Sequence, residues 1–158
     1  GWSNIISSSQ ASGRENYASY YRWWLWKKNL EKLVGNLQLI KKVKFHGLNK
    51  NVFTILKKCN LYVNSSYFEG FPNSVAEAAY FGIPVIASQS YGGINEILSN
   101  GKFGTIYQNS HLELSNKIKN YIKNPKPFIY KAKLAQKNIL KFNLVNNIKN
   151  YEKLFNEL

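Results

Sequence analysis

The chain has 158 residues, 44% of them hydrophobic, which is enough for one globular domain. It carries 22 lysines and arginines but only eight acidic residues, for a formal charge of +14. All eight acids are glutamates, which excludes sites that require aspartate, such as the Ser-His-Asp triad and the EF-hand loop. One cysteine and two histidines exclude an intrachain disulfide and a zinc site built from four Cys and His ligands.

The first 42 residues differ in composition from the rest of the chain. Residues 7–13 are rich in serine and predict a loop, and six tyrosines and tryptophans follow between residues 17 and 26. We predict that residues 1–42 form an atypical, aromatic-rich segment and that a regular domain occupies residues 43–158.

From residue 43 onward, short apolar runs alternate with amphipathic segments. The apolar runs predict β-strands at residues 43–47, 61–63, 84–87 and 103–107. The other segments predict helices at residues 50–59, 73–81, 94–98, 126–141 and 144–158, with a further helix start near His111. Gly82 is expected to follow the 73–81 helix as its C′ residue. This alternation favours right-handed βαβ units, so we predict an α/β fold with a Rossmann-like parallel sheet and flanking helices.

The most informative stretch is residues 65–78, where two glutamates enclose a turn-forming sequence. Glu69 lies on the loop that leaves a predicted strand, and Glu77 lies on the helix that follows. Ligands of open α/β sheets bind at the carboxyl ends of the strands, which is where this loop is expected. Gly70 permits close approach of the backbone to a ligand, and Asn73 is a good N-cap residue for the helix.

The start of the 73–81 helix predicts an anion site. The amides of Ser74 and Val75 are expected to be free at the helix N-terminus, where they suit a diphosphate. The ionised carboxylate of Glu77, one turn further on, suits the two vicinal hydroxyls of a ribose. These local features together predict a sugar, a diphosphate and a nucleoside in one crevice.

Three blocks of sequence carry a resemblance to a known family. They are Glu-Gly-Phe-Pro-Asn-Ser-Val-Ala-Glu-Ala at residues 69–78, Phe-Gly-Ile-Pro-Val-Ile-Ala at 81–87, and Gly-Gly-Ile-Asn-Glu-Ile-Leu at 92–98. Over residues 43–158 the chain resembles the C-terminal, donor-binding domain of family 4 retaining glycosyltransferases, which have the GT-B fold. The resemblance implies a hexosyltransferase that, with an acceptor domain, moves a sugar from a nucleotide-diphosphate sugar to an acceptor with retention.

The resemblance also implies a role for each matching position. Glu69 is implied as the catalytic residue that contacts the donor sugar near its anomeric carbon, and Glu77 as the residue that holds the ribose. The remaining implied donor-binding residues are Gly70, Phe71, Pro72, Asn73, Ser74, Val75, His46 and Gly47. Of these, His46 and Gly47 are expected to border the base. Members of the family commonly need no metal and no other cofactor, and the donor, such as a UDP- or GDP-sugar, is the substrate.

The expected partners are the nucleotide-sugar and a separate or missing N-terminal acceptor-binding domain. The resemblance implies a role in polysaccharide or lipopolysaccharide biosynthesis. A single cysteine makes a reducing compartment the default, so we expect a cytoplasmic protein. The basic charge leaves open contact with an anionic membrane surface at the inner face of the membrane. No RNA-binding signature is present, and nucleic acid is not an expected partner. The alternative is a non-catalytic or degenerate nucleotide-sugar-binding or interaction domain, because Gly13-Arg14 is the only trace of the family's Gly-Arg … Lys-Gly loop.

Overall fold

The fold was obtained as a computed structural model that describes residues 5–8, 17–47 and 51–142, and side chains from residue 26 onward within these ranges except Tyr91. The strands are β1 (Ile5–Ser8), β2 (Leu61–Asn64), β3 (Phe68–Glu69), β4 (Val85–Ser88), β5 (Tyr91–Gly92) and β6 (Thr105–Tyr107). The helices are α1 (Tyr17–Asn36), α2 (Val52–Leu56), α3 (Asn73–Tyr80), α4 (Ile94–Ile97), α5 (His111–Lys123) and α6 (Lys126–Ile139), followed by a 3₁₀ turn at Leu140–Phe142.

The main sheet is parallel and has the strand order β1-β2-β4-β6. Every residue of β2 and β4 is buried, as expected when helices cover both faces of a parallel sheet. Side chains alternate between two cores: Tyr62 and Val85 pack with α3 and α6 residues, whereas Val63 and Ile86 pack with α5 residues. The α/β, Rossmann-like expectation is confirmed.

The strand at the edge of this sheet is not the one that the sequence predicts. Residues 43–47 are exposed and lie outside any helix or strand, so the strand predicted there is wrong. Val43 and Phe45 alternate like strand residues, but the Val43 amide donates instead to the Leu39 carbonyl within a turn, at 3.0 Å. The edge strand is β1, which includes two residues of the predicted 7–13 loop. Backbone bonds to β2 form that strand, and such bonds need no apolar side chain.

The remaining predicted helices follow the sequence with shifted ends. The 50–59 helix is confined to α2, and the 126–141 helix divides into α6 and the 3₁₀ turn. The aromatic-rich segment contributes α1, none of whose described side chains enters either core. The predicted 144–158 helix lies outside the described residues. The division between residues 1–42 and 43–158 stays a prediction.

Candidate functional site

Helix α3 carries one of the two predicted site glutamates, and its C-terminal cap sets its length. Gly82 has φ +67°, and its amide donates to the Ala79 carbonyl at 2.9 Å. The Ile83 amide donates to the Ala78 carbonyl at 3.0 Å. These two bonds form a Schellman motif and confirm Gly82 as the C′ residue. Glu77 therefore lies in the second turn of a helix of eight residues.

Glu77 lies on the side of α3 that is turned away from the core. The buried residues of this helix are Val75, Ala78 and Ala79. Asn73 and Tyr80 share the opposite side with Glu77, four residues before it and three residues after it, and Ala76 at the border of this face packs against the core. Glu77 is half-buried, and this burial raises the pKa of its carboxyl above the ordinary value. The carboxylate is thus accessible to a ligand and incompletely hydrated, which strengthens any hydrogen bond that it accepts.

A groove of about 520 Å³ runs beside this face of α3. Its lining residues are Phe53, Asn73, Ala76, Glu77, Tyr80 and Phe81. The rings of Phe53 and Phe81 lie 5.8 Å apart, and the Lys57 ammonium lies 5.5 Å from the centre of the Phe81 ring. The groove therefore offers aromatic surface, one carboxylate and one nearby cation.

Glu69 lies on β3, in a two-stranded parallel sheet separate from the main one. Strand β3 leaves the carboxyl end of β2 and pairs with β5, which leaves the carboxyl end of β4; Glu69 stands opposite Gly92. Beyond the pair, the Gly93 amide donates to the Gly70 carbonyl at 2.8 Å. Sequence reasoning included Gly92 and Gly93 in the family resemblance but missed this contact. Two adjacent glycines are the signal that could have indicated a close backbone approach.

The loop that contains Glu69 is open to solvent. Glu69 is half-buried, Gly70 is exposed and Pro72 is buried. Phe71 is 42% exposed, and its ring meets that of Phe142 edge-on with the ring centres 5.6 Å apart. Glu69 and Glu77 thus both remain accessible, on either side of the turn from β3 into α3.

The N-terminus of α3 differs from the prediction in two respects. The cap residue is Pro72, without a side-chain cap bond, and Asn73 is the first helical residue, so the predicted Asn73 cap is wrong. The Val75 amide donates to the Pro72 carbonyl at 3.0 Å, and the Val75 side chain is buried. The expectation of a free amide at Val75 is therefore also wrong, because the first turn is closed by its own backbone. Ser74 is half-buried, and its contact with a diphosphate stays a prediction.

The structure does not place His46 and Gly47 at the end of a strand. Both residues are exposed, and Gly47 has φ +62°. Because residues 43–47 form no strand, the expected position of these residues at a strand end is wrong. Their contact with a base stays a prediction.

The described residues contain neither a cluster of metal-ligating side chains nor a helix that could span a membrane. No group of three or more His, Cys, Asp or Glu side chains stands close enough together to hold a metal ion within residues 5–8, 17–47 and 51–142. Within the same ranges, no helix combines the length and the apolar character that a bilayer span requires.

The chain is similar in sequence to known glycosyltransferases. The profile of the family described as "Glycosyl transferases group 1" matches residues 24–140. An uncharacterised glycosyltransferase of Methanocaldococcus jannaschii is 42% identical over 72 residues, which are 46% of this chain and 18% of that protein. The N,N'-diacetylbacillosaminyl-diphospho-undecaprenol alpha-1,3-N-acetylgalactosaminyltransferase of Campylobacter jejuni is 29% identical over 117 residues, or 73% of this chain and 31% of that protein.

A solved structure shows the same similarity. The crystal structure of Anabaena HepE in complex with UDP and glucose matches with a TM-score of 0.77 and 25% identity, over 87% of this chain and 38% of HepE. The chain thus spans well under half the length of each of these three relatives. Since the family profile covers most of its residues, the chain belongs to the glycosyl transferases group 1 family and has the fold of a GT-B glycosyltransferase domain.

Proposed function

We propose that this chain is the C-terminal, donor-binding domain of a family 4 retaining glycosyltransferase and that it binds a nucleotide-diphosphate hexose. One observation carries the proposal: Glu69 and Glu77, both half-buried, flank the turn that follows the carboxyl end of a central strand of the parallel sheet. Ligands of open α/β sheets bind at this edge. The HepE complex with UDP and glucose supports the same ligand class.

In this proposal the two glutamates divide the donor between them. Glu69 accepts hydrogen bonds from the sugar hydroxyls, and the backbone of Gly70, Phe71, Pro72 and Asn73 follows the sugar and the phosphates. Glu77 accepts hydrogen bonds from the ribose hydroxyls, in the groove that it lines. In transfer, the bond between the anomeric carbon and the diphosphate oxygen breaks, the acceptor hydroxyl oxygen bonds to that carbon, and its proton passes to the departing diphosphate, on which negative charge grows as the bond breaks. The net charge of +14 favours binding of such an anion.

The acceptor belongs to another part of the enzyme. The chain covers 38% of HepE, and we propose that an N-terminal acceptor-binding domain completes the reaction. The C. jejuni relative is named for a diphospho-undecaprenol-linked substrate. A lipid-linked acceptor fits a cytoplasmic enzyme that touches the anionic inner face of the membrane through basic residues.

Calorimetric titration with UDP, GDP and their glucose conjugates tests the proposal. We expect binding of at least one nucleotide, and a tenfold or greater loss of UDP affinity in Glu77→Gln, since a charge-assisted bond contributes about 1.5–3 kcal/mol. Glu69→Gln should weaken binding of the sugar nucleotide more than binding of the free nucleotide. Glu31→Gln is the matched control, because Glu31 lies on α1 and pairs with Lys27 at 3.6 Å.

Two results would contradict the proposal. The first is the absence of any nucleotide binding at millimolar concentration. The second is a Glu77→Gln variant that binds UDP as tightly as the wild type, which would favour the degenerate or non-catalytic interaction domain instead.

A further inference from the structure

We propose that Gly92 and Gly93 form a positioning element that holds Glu69 against the sugar of the donor. This inference rests on the proposed function and deepens it, because it assigns a role to two residues outside the predicted site. The element acts through the backbone of the Glu69 loop.

Gly92 leaves no room for a side chain. Its φ is +113°, and a Cβ atom at this position would lie 1.7 Å from the carbonyl oxygen of Glu69 and 2.9 Å from the carbonyl carbon. Both neighbouring atoms are backbone, so they cannot move aside as the end of a flexible side chain can. Any larger residue at position 92 must change the distance between the Glu69 backbone and its own, and so alter the β3–β5 contact.

Gly93 holds the next peptide of the same loop. Its amide donates to the Gly70 carbonyl at 2.8 Å. A Cβ atom there would lie 3.0 Å from the Gly70 oxygen and 3.0 Å from the Pro72 Cδ atom. The two glycines thus lie against two successive carbonyl groups of the loop, those of Glu69 and Gly70.

The rest of the loop is anchored at its two ends and through the Phe71 ring, which meets the Phe142 ring. At its start, the Ser66 amide donates to the Asn64 side chain at 3.2 Å, and the Ser88 hydroxyl donates to the Ser66 carbonyl. At its end, Pro72 is buried. Between these anchors, the long-range backbone contacts described for the loop are with residues 91–93. The β3–β5 contact therefore sets where the Glu69 backbone lies.

Glu77 is held in place by other contacts than Glu69, and this difference makes the inference testable. It lies on α3, whose buried residues Val75, Ala78 and Ala79 pack in the core with residues of β2, β4 and α6. A change at Gly92 should therefore disturb contacts of Glu69 with the sugar while sparing contacts of Glu77 with the nucleoside.

The experiment compares Gly92→Ala with the wild type by calorimetry, with UDP and UDP-glucose as probes. We expect UDP affinity to fall less than UDP-glucose affinity, because in the proposed function the Gly70 and Phe71 backbone contacts the phosphates whereas Glu69 contacts the sugar alone. The ratio of UDP-glucose affinity to UDP affinity should fall tenfold or more, the loss expected when a charge-assisted bond is broken. The double variant with Glu69→Gln should lose little more than either single variant, because both remove the same interaction.

Gly101→Ala is the matched control. Gly101 also has a positive φ, +90°, but the nearest atom to a Cβ there is 4.0 Å away. It carries the same kind of backbone strain without the collision, so it should lower the melting temperature and leave the affinity ratio unchanged. Should Gly92→Ala fail to fold, Gly93→Ala replaces it, since Gly93 lacks a positive φ and meets its neighbours at 3.0 Å.

Amide NMR spectra separate failure of this inference from failure of the proposed function. Gly92→Ala should shift the Glu69, Gly70 and Phe71 amide signals more than Gly101→Ala does, with no ligand present. Unmoved signals, an unchanged affinity ratio, or an equal loss of UDP and UDP-glucose affinity would each overturn the positioning role. A wild-type chain that binds neither probe would instead count against the proposed function.

Discussion

Residues 61–107 and residues 26–47 both contain many apolar side chains, and the first region buries most of its own, although Tyr67 and Phe68, which follow β2, are exposed. Strands β2 and β4 are buried throughout, and α3 packs its alanines into the core. In the second region, large apolar side chains are exposed, among them Trp26 at 65% and Ile40 at 70%. The difference shows that an apolar pattern leads to burial only where a neighbouring element supplies the opposing surface.

Shortening one large apolar side chain in each region tests this contrast most directly. Ile86→Ala should lower the free energy of unfolding by about 2–5 kcal/mol, because Ile86 is fully buried in β4. Leu30→Ala on α1 should change it by less than about 0.5 kcal/mol, because Leu30 is 47% exposed. Urea denaturation measures both. Equal effects would show that α1 is packed as tightly as the sheet.

Replacing one glycine by alanine in each region tests the same contrast by adding a methyl group instead of removing apolar atoms. A Cβ at Gly104 would lie 2.8 Å from the Leu98 Cδ2 atom, so Gly104→Ala should destabilise the fold by about 1–3 kcal/mol. Gly35 lies in α1 with no atom within 4 Å of its Cβ position, so Gly35→Ala should stabilise the helix by about 0.5–1 kcal/mol. Thermal unfolding of the two variants should show shifts of opposite sign.

Replacing one glutamate by glutamine in each region refines the comparison when stability is measured as a function of pH. Burial raises the pKa of Glu77 above its ordinary value of 4.5, so the folded state binds more protons than the unfolded state as pH rises above that value. The contribution of Glu77 to stability is therefore greatest at acidic pH and declines as the carboxyl ionises. Glu77→Gln should be more stable than the wild type at pH 7, and the difference should vanish below pH 4.5.

The α1 residue Glu31 is the counterpart in this experiment. Its partner Lys27 is 3.6 Å away at the helix surface, so Glu31→Gln should change stability by less than about 0.5 kcal/mol. Denaturation curves of both variants across the pH range measure the effect. A Glu77→Gln variant without pH-dependent stabilisation would contradict the assigned burial of Glu77.

The strands and helices that the sequence predicted correctly are those with strong local signals. The continuous apolar runs of β2 and β4 predict buried strands, and Gly82 predicts the end of α3. The run at residues 43–47 carries a similar local signal and is not a strand, because it forms no ladder with the sheet. β1 shows the reverse case: its Ser7 and Ser8 belong to a predicted loop, and they are in a strand because they pair with β2.

The sequence alone shows the residue types of the candidate site, their order and the family resemblance. It can do so because short-range spacing along a loop and a helix is a property of the chain itself. Only the tertiary structure brought Gly92 and Gly93 against the Glu69 loop and closed the first turn of α3 on the Pro72 carbonyl. Contacts between loops that leave different strands depend on how the sheet orders those strands in space, and that order is set by packing over the whole domain.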